Sequence, residues 1–209
     1  MAVEVLDVPG IPFGLTASQP GAWRRDARGD GLIADAPAHT DLYVNPGGAG
    51  AEDAESLLNA ATLLGGPPAG DFRFSARVSV DFRSRYDAGV LLLWEDDRHW
   101  GKFCFEFSPA GEPMVVSVVT RETSDDANAF VVAERSVWLR VSRIGHAYAY
   151  HASVDGSTWT LIRVFTLGEA VSGHRIGFEA QSPTGDGCTV TFSDVRFDGV
   201  RLSDLRDGS

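Results

Sequence analysis

Cysteine is scarce in this chain, with only Cys104 and Cys188 among 209 residues and no C-x-x-C spacing around either. Both are expected to be buried free thiols rather than a disulfide. Cations are also few: Lys+Arg number 18 against 29 Asp+Glu, a formal charge of −11. Binding phosphate requires clustered cations, so nucleic acid and anionic membrane are excluded as partners, while a neutral sugar or polyol, or a cation, suits the surface. No apolar run approaches the roughly 20 residues that span a bilayer. The opening MAVEVLDVPGIPFGL has no basic n-region and no continuous apolar h-region, so it reads as mature sequence without a signal peptide, and a cytoplasmic location is the expected default.

Catalytic and metal signatures are missing in the same way. The histidines at 39, 99, 146, 151 and 174 show no H-x-x-x-H spacing, so no zinc is expected. There is no G-x-S-x-G, and Cys104 lies in mid-strand, so nucleophilic catalysis has no footing. QSPTGDG at 181–187 lacks a following helix and is no P-loop; it is the rim of a groove or a plain turn. Asp96-Asp97 and Asp125-Asp126 lack an EF-hand pattern and read as solvated turn acids, and so does Asp194 in TFSDVRF, the one acid weighed as an aid to a structural calcium. No metal ligand set and no cofactor is expected.

What the chain does have is short β-type runs separated by Gly, Pro, Asn and Asp. FRFSARVSVDF at 72–82 alternates Phe72, Phe74, Ala76, Val78 and Val80 with Arg73, Ser75, Arg77, Ser79 and Asp81, a strand with one wet face. Further runs at 88–94, 99–107, 114–121, 129–133, 137–144, 147–153, 159–165, 174–179 and 189–197 predict an all-β sandwich or jelly roll rather than βαβ units. EDDR and the Asp155-Gly156 pair mark hairpin turns, with Trp159 packing into the sheet. Only 51–59 has helical composition, NPGGAG at 45–50 is a surface loop, and the tail DLRDGS is expected to fray. No linker divides the chain, so 1–209 is read as one domain.

The informative stretch is YDAGVLLLWEDDRHWGKFCFEF at 86–107. On a strand Lys102 and Glu106 share a face with Trp100 and Cys104, and about 13 Å of strand separates the two charges. Unpaired burial of either is costly, so this face is expected to open to water. Each charge needs a partner from the next run, where a one-residue slip decides whether Thr120 or Arg121 faces Lys102. One reading is cross-strand ion pairs on an exposed sheet. The other is a shallow groove in which Trp94 or Trp100 stacks on a sugar or polyol while Lys102, Glu106, Thr120, Asp126 and Asn128 make hydrogen bonds. Hydrolysis would use Glu106 as acid or nucleophile with Asp87, Asp125 or Asp126 as the second carboxylate. A protein-interaction module, requiring a large exposed apolar patch, is the third possibility.

YDAGVLLLWEDDRHWGKFCFEFSPAGEP, VSVVTRETSDDAN, WLRVSR, SVDGSTW and QSPTG, in that order, resemble an uncharacterised family of concanavalin A-like lectin/glucanase folds that includes the yeast regulation-of-enolase protein. The likeness runs from about Asp41 to the DLRDG tail. It implies a two-sheet antiparallel jelly roll with one hollow sheet, and polar motif positions at Lys102, Glu106, Thr120, Ser124, Asp125, Asp126, Asn128 and Gln181. The E-x-D-x-E strand of jelly-roll glucanases is absent, so the resemblance implies binding more than hydrolysis.

Overall fold

Apolar runs of strand length, alternating in Phe72–Val80 and near-continuous in Ala88–Asp96, decide the architecture. In the computed structural model, which describes residues 4–47, 56–168 and 173–209, every regular element is a β-strand. One sheet has the order β1 (Val5–Leu6), β2 (Leu15–Ala17), β7 (Ala61–Gly65), β16 (Arg175–Gln181), β9 (Ala88–Asp96), β10 (His99–Phe107), β11 (Pro113–Arg121), β12 (Thr123–Val131). The other has the order β15 (Thr160–Phe165), β14 (Ala147–Ser153), β13 (Ser136–Ile144), β8 (Phe72–Val80), β17 (Cys188–Asp198), β4 (Leu32–Ala36), β3 (Trp23–Arg25). A small ribbon pairs β5 (Leu42–Tyr43) with β6 (Leu57–Leu58). All strand pairings are antiparallel, and the two sheets pack as a sandwich.

The core fills the space between the sheets, with Phe72, Phe74 and Val78 of β8 meeting Leu91 and Leu93 of β9 and Phe103 and Phe105 of β10. Strands β9, β10 and β11 are buried on both faces along most of their length. Their alternate residues Val90, Leu92, Trp100, Cys104, Val116 and Val118 form a second buried layer on the outer face of the first sheet, under Leu42 of the ribbon. That double burial explains near-continuous runs such as VLLLW, which one wet face would have interrupted.

The expected strands hold to within two residues at either end, with one exception. β12 begins at Thr123, not 129, so the polar stretch TSDDAN is strand. It lies at the sheet edge, where charged residues discourage further pairing. The helix expected over 51–59 is corrected where it is described: Leu57–Leu58 is a strand, and residues 51–55 lie outside the described residues, as do the last three of the NPGGAG loop. Both cysteines are free and buried.

The turns follow from their acids. The Asp96 carboxylate accepts the backbone amides of Arg98 and His99, each at 2.8 Å. Asp155 accepts those of Ser157 and Thr158, each at 2.7 Å. Trp159 is half-buried on the outer face, with the Arg140 guanidinium 4.2 Å over its ring. Asp194 is exposed with positive φ, at the irregularity where β17 slips against β8. The tail does not fray: Leu202 is buried, Arg140 Nη2 donates to the Gly208 carbonyl at 2.7 Å, and His151 Nε2 donates to the Leu205 carbonyl at 2.7 Å.

Candidate functional site

Register on the outer face of the first sheet fixes which side chains meet. Lys102 lies between Leu92 and Val118, with Asp126 one strand further on. Neither expected neighbour faces it: Thr120 sits opposite Trp100 and Arg121 opposite His99. Glu106 is two alternations along the same strand, beside Ala88, and Ala88 in turn neighbours Gln181.

Residues 40–44 cross this face as a strap. The Thr40 amide donates to the Ser182 carbonyl at 3.3 Å, and at the other end Val44 and Ser124 are joined by two 2.9 Å bonds. Asn59 fixes the middle, accepting the Asp41 amide at 3.0 Å while its own amide donates to the Asp41 carbonyl at 3.0 Å. Asp41 is thereby delivered onto Lys102, whose Nζ donates to Asp41 Oδ1 at 2.7 Å and to Gln181 Oε1 at 2.8 Å. The Trp100 ring lies 5.9 Å from the same ammonium.

The expectation that this face opens freely to water is therefore corrected. Lys102 is 2% exposed and Glu106 8%. The counter-charge that permits burial comes from Asp41, 61 positions earlier in the chain, where no strand periodicity could reveal it. Yet the face is not sealed. A cavity of about 380 Å³ remains beside the ion pair, lined by Tyr43, Tyr86, Lys102, Glu106, Asp126 and Gln181 among others. That volume lies within the range of small-molecule sites.

Two carboxyls here are starved of water. Burial, opposed by Lys102 and reinforced by the charges of Asp126, Asp41 and Glu179, raises Glu106 to about 8. Among the described residues no hydrogen bond reaches its carboxyl, although it lines the cavity. Glu179 on β16 is fully buried with both oxygens unpartnered, and burial raises it likewise to about 8. Both acids are thus protonated near neutral pH. Burial alone would depress the Lys102 ammonium, but Asp41 and Glu179 outweigh it and the net direction is upward. Asp126 is exposed at the mouth, where burial against the cavity wall still pushes its carboxyl up. Tyr43 is raised by burial and by Asp126 and Asp41.

Tyr86 also lines the cavity, on a strained backbone with φ of 67°. Its amide donates to the Phe107 carbonyl at 2.7 Å, and its carbonyl accepts from Gln181 Nε2 at 3.1 Å. Asp87 stiffens the turn beneath it, accepting the amides of Arg83 and Ser84, each at 2.9 Å, and the Ser182 hydroxyl at 2.6 Å.

Of the residues picked from sequence, Lys102, Glu106, Asp126 and Gln181 come together at the cavity. Thr120 and Ser124 are buried and bonded to one another at 2.9 Å, with Ser124 holding the strap. Trp100 is fully buried and Trp94 packs beside it in the second apolar layer, so neither offers a face to the cavity. Asp125 points away, toward Arg163 at 3.5 Å, and Asn128 is exposed one row along from Asp126. As second carboxylates for hydrolysis, Asp87 is committed to its turn and Asp125 to Arg163, which leaves Asp126. Asp41, Tyr43, Tyr86 and Glu179 were missed. Glu179 alone had a local signal, since alternation in RIGFEAQ puts it on the same face as Gln181.

Among solved structures, a functionally unknown protein from Saccharomyces cerevisiae superposes with a TM-score of 0.74 at 25% identity, covering 88% of this chain and 95% of that one. A xylan beta-1,4-xylosidase from Bacillus halodurans C-125 gives 0.69 at 11% identity, covering 87% of this chain but only 35% of the xylosidase. An alginate lyase from Klebsiella pneumoniae gives 0.54 at 12% identity, covering 84% and 83%. Likeness to the two enzymes is a likeness of fold. No curated protein matches the chain. The chain belongs to the family described as a protein of unknown function, DUF1349, which matches residues 17–199.

Proposed function

We propose that the cavity beside the Lys102–Asp41 pair binds a saccharide or polyol within a concanavalin A-like sandwich. The observation that carries this reading is the Glu106 carboxyl, which lines a cavity of about 380 Å³ without a hydrogen-bond partner of its own. A neutral carboxylic acid both donates and accepts, and so matches a hydroxyl. Tyr43 and Tyr86, rather than Trp94 or Trp100, supply the aromatic walls. The sandwich folds shared with a xylosidase and an alginate lyase are compatible with such a ligand but do not decide it. Isothermal titration of mono- and oligosaccharides and simple polyols tests the reading. At least one should bind at millimolar concentration or tighter, and Tyr86→Ala should weaken it about tenfold, the worth of one ring contact. If no sugar or polyol binds, the reading is wrong.

One observation favours a second reading, glycoside hydrolysis. A carboxyl raised to about 8 is protonated at neutral pH, as a general acid must be. Asp126 is then the carboxylate that would activate water. Release of reducing ends from a bound oligosaccharide, abolished in Glu106→Gln, supports it; binding without any release over a long incubation rules it out.

A further inference from the structure

We propose that the occupant of this cavity carries an ammonium group on its sugar frame, making the ligand class an amino sugar; this deepens the binding reading and rests on it. The argument starts from charge. Among the described residues Lys102 is the only cation lining the cavity; it is 2% exposed, and two of its three N–H donors are bonded to Asp41 and Gln181. An incoming ligand therefore meets a neutral ion pair. What remains is acidic: Glu106 lines the wall, more than nine-tenths buried and without a hydrogen bond, and Asp126 stands exposed at the mouth. Arg163, whose charge is felt at Asp126, makes its hydrogen bonds to the carbonyl and carboxylate of Asp125.

The walls fit the same class. Tyr43 and Tyr86 are among the residues that line the cavity, and an aromatic ring face attracts an ammonium through its quadrupole. An ammonium has three N–H donors and no acceptor. Once Glu106 has given up its proton, Glu106 and Asp126 present acceptors and no donor. An anionic ligand would meet Asp41 and Asp126, while Lys102, the cation there among the described residues, is already paired with Asp41. A neutral saccharide would use Glu106 as a hydrogen-bond donor and leave its proton in place.

The two cases differ in proton balance. When R–NH3⁺ docks, the Glu106 O–H bond breaks, the electron pair stays on the carboxylate facing the ammonium, and the proton passes to the buffer. The charges that set this balance are Lys102 on its own strand, Asp126 from β12, Glu179 from β16 and Asp41 from the strap, with the Cys104 thiol on the same strand; the flanking strands offer only Ala88 and Met114. Only Lys102 favours ionisation of Glu106, so in the empty cavity the carboxyl keeps its proton.

Titration calorimetry on the full chain tests this, using a glucosamine trisaccharide, its N-acetylated counterpart, a neutral glucose trisaccharide and a linear diamine. Two primary-amine-free buffers of contrasting ionisation enthalpy, at about pH 6.5, read the proton count. The amino trisaccharide should bind at least about tenfold tighter than either neutral one, with close to one proton released per site. Glu106→Gln should abolish the release, and Asp126→Asn, an exposed change that leaves the fold alone, should narrow the preference. Equal binding of the neutral saccharides with no proton released overturns the ammonium claim and leaves the saccharide reading standing. Equal binding of the diamine overturns the sugar frame. No binding by any saccharide removes the reading beneath both.

Discussion

Lys102 is the only lysine in the 209 residues, and it is placed where an ammonium is hardest to keep. A desolvated cation is tolerated when its Coulomb partner and hydrogen bonds are all in place, and is strongly destabilising when one partner is removed. Asp41→Ala should therefore lower stability by about 3–5 kcal/mol in urea melts. Lys102→Met, which leaves the partly exposed Asp41 to water, should cost less, and the double variant should show clear non-additivity in a double-mutant cycle. Additive losses would mean that the 2.7 Å contact carries no coupling. Because Lys102 stays charged, it is an electrostatic anchor and not a nucleophilic amine.

At the level of elements, the hairpin of β9 and β10 carries the site and also ties the two sheets together. Gly101, next to Lys102, turns its missing side chain toward the core, where a Cβ would stand 2.4 Å from the Tyr150 hydroxyl. Tyr150 itself stacks on Phe103 at 4.6 Å. Gly101→Ala should then cost about 1–3 kcal/mol through overpacking, read as a lower urea midpoint with an unchanged slope. The strap has the opposite character, being held by side-chain caps rather than by a long ladder. Ser124→Ala removes its bond to Val44 and should weaken ligand binding more than global stability, as a thermal melt beside a titration would show.

These elements also mark how far the sequence could be read. Strands with alternating or continuous apolar character, such as Phe72–Val80 and His99–Phe107, were legible because burial imposes a period of two. None of the seven strands before Phe72 was legible: β1, β2, β3, β5 and β6 have two or three residues and β4 and β7 only five, too few to set a clear period. Lys102 and Glu106 stood out because charges on an apolar strand are anomalous. Their partners did not, because Asp41 and Tyr43 arrive on the strap and Tyr86 depends on a positive φ that no composition signals. The tryptophans misled for a related reason: double-sided burial of the sheet turns a would-be platform into core.

For the whole molecule, the buried acids set a pH dependence of unusual sign. In the unfolded chain Glu106 and Glu179 release their protons near 4.3, whereas in the fold they hold them to about 8. Across that window the native state binds more protons than the unfolded one, so stability falls as pH rises and levels off above it. His151 works the other way over a narrower range. Burial lowers it to about 4 from an ordinary value near 6.5, so its contribution is lost as pH falls between these values. Two carboxyls outweigh one imidazole, and the decline should steepen above about pH 6.5. Glu179→Gln, neutral at every pH, should flatten the fall in melting temperature between about pH 5 and 8. An unchanged slope would show that Glu179 does not hold its proton in the fold.

Because the chain has a single lysine, protein grown with isotope-labelled lysine gives one lysine side-chain signal, and that signal reports from the wall of the cavity. Titrating this sample with saccharide and following the Lys102 resonance by NMR tests the site directly. A saturable shift whose midpoint moves to about tenfold higher saccharide in Tyr86→Ala is the expected result. A signal that stays fixed while a saccharide binds elsewhere on the protein would contradict the account.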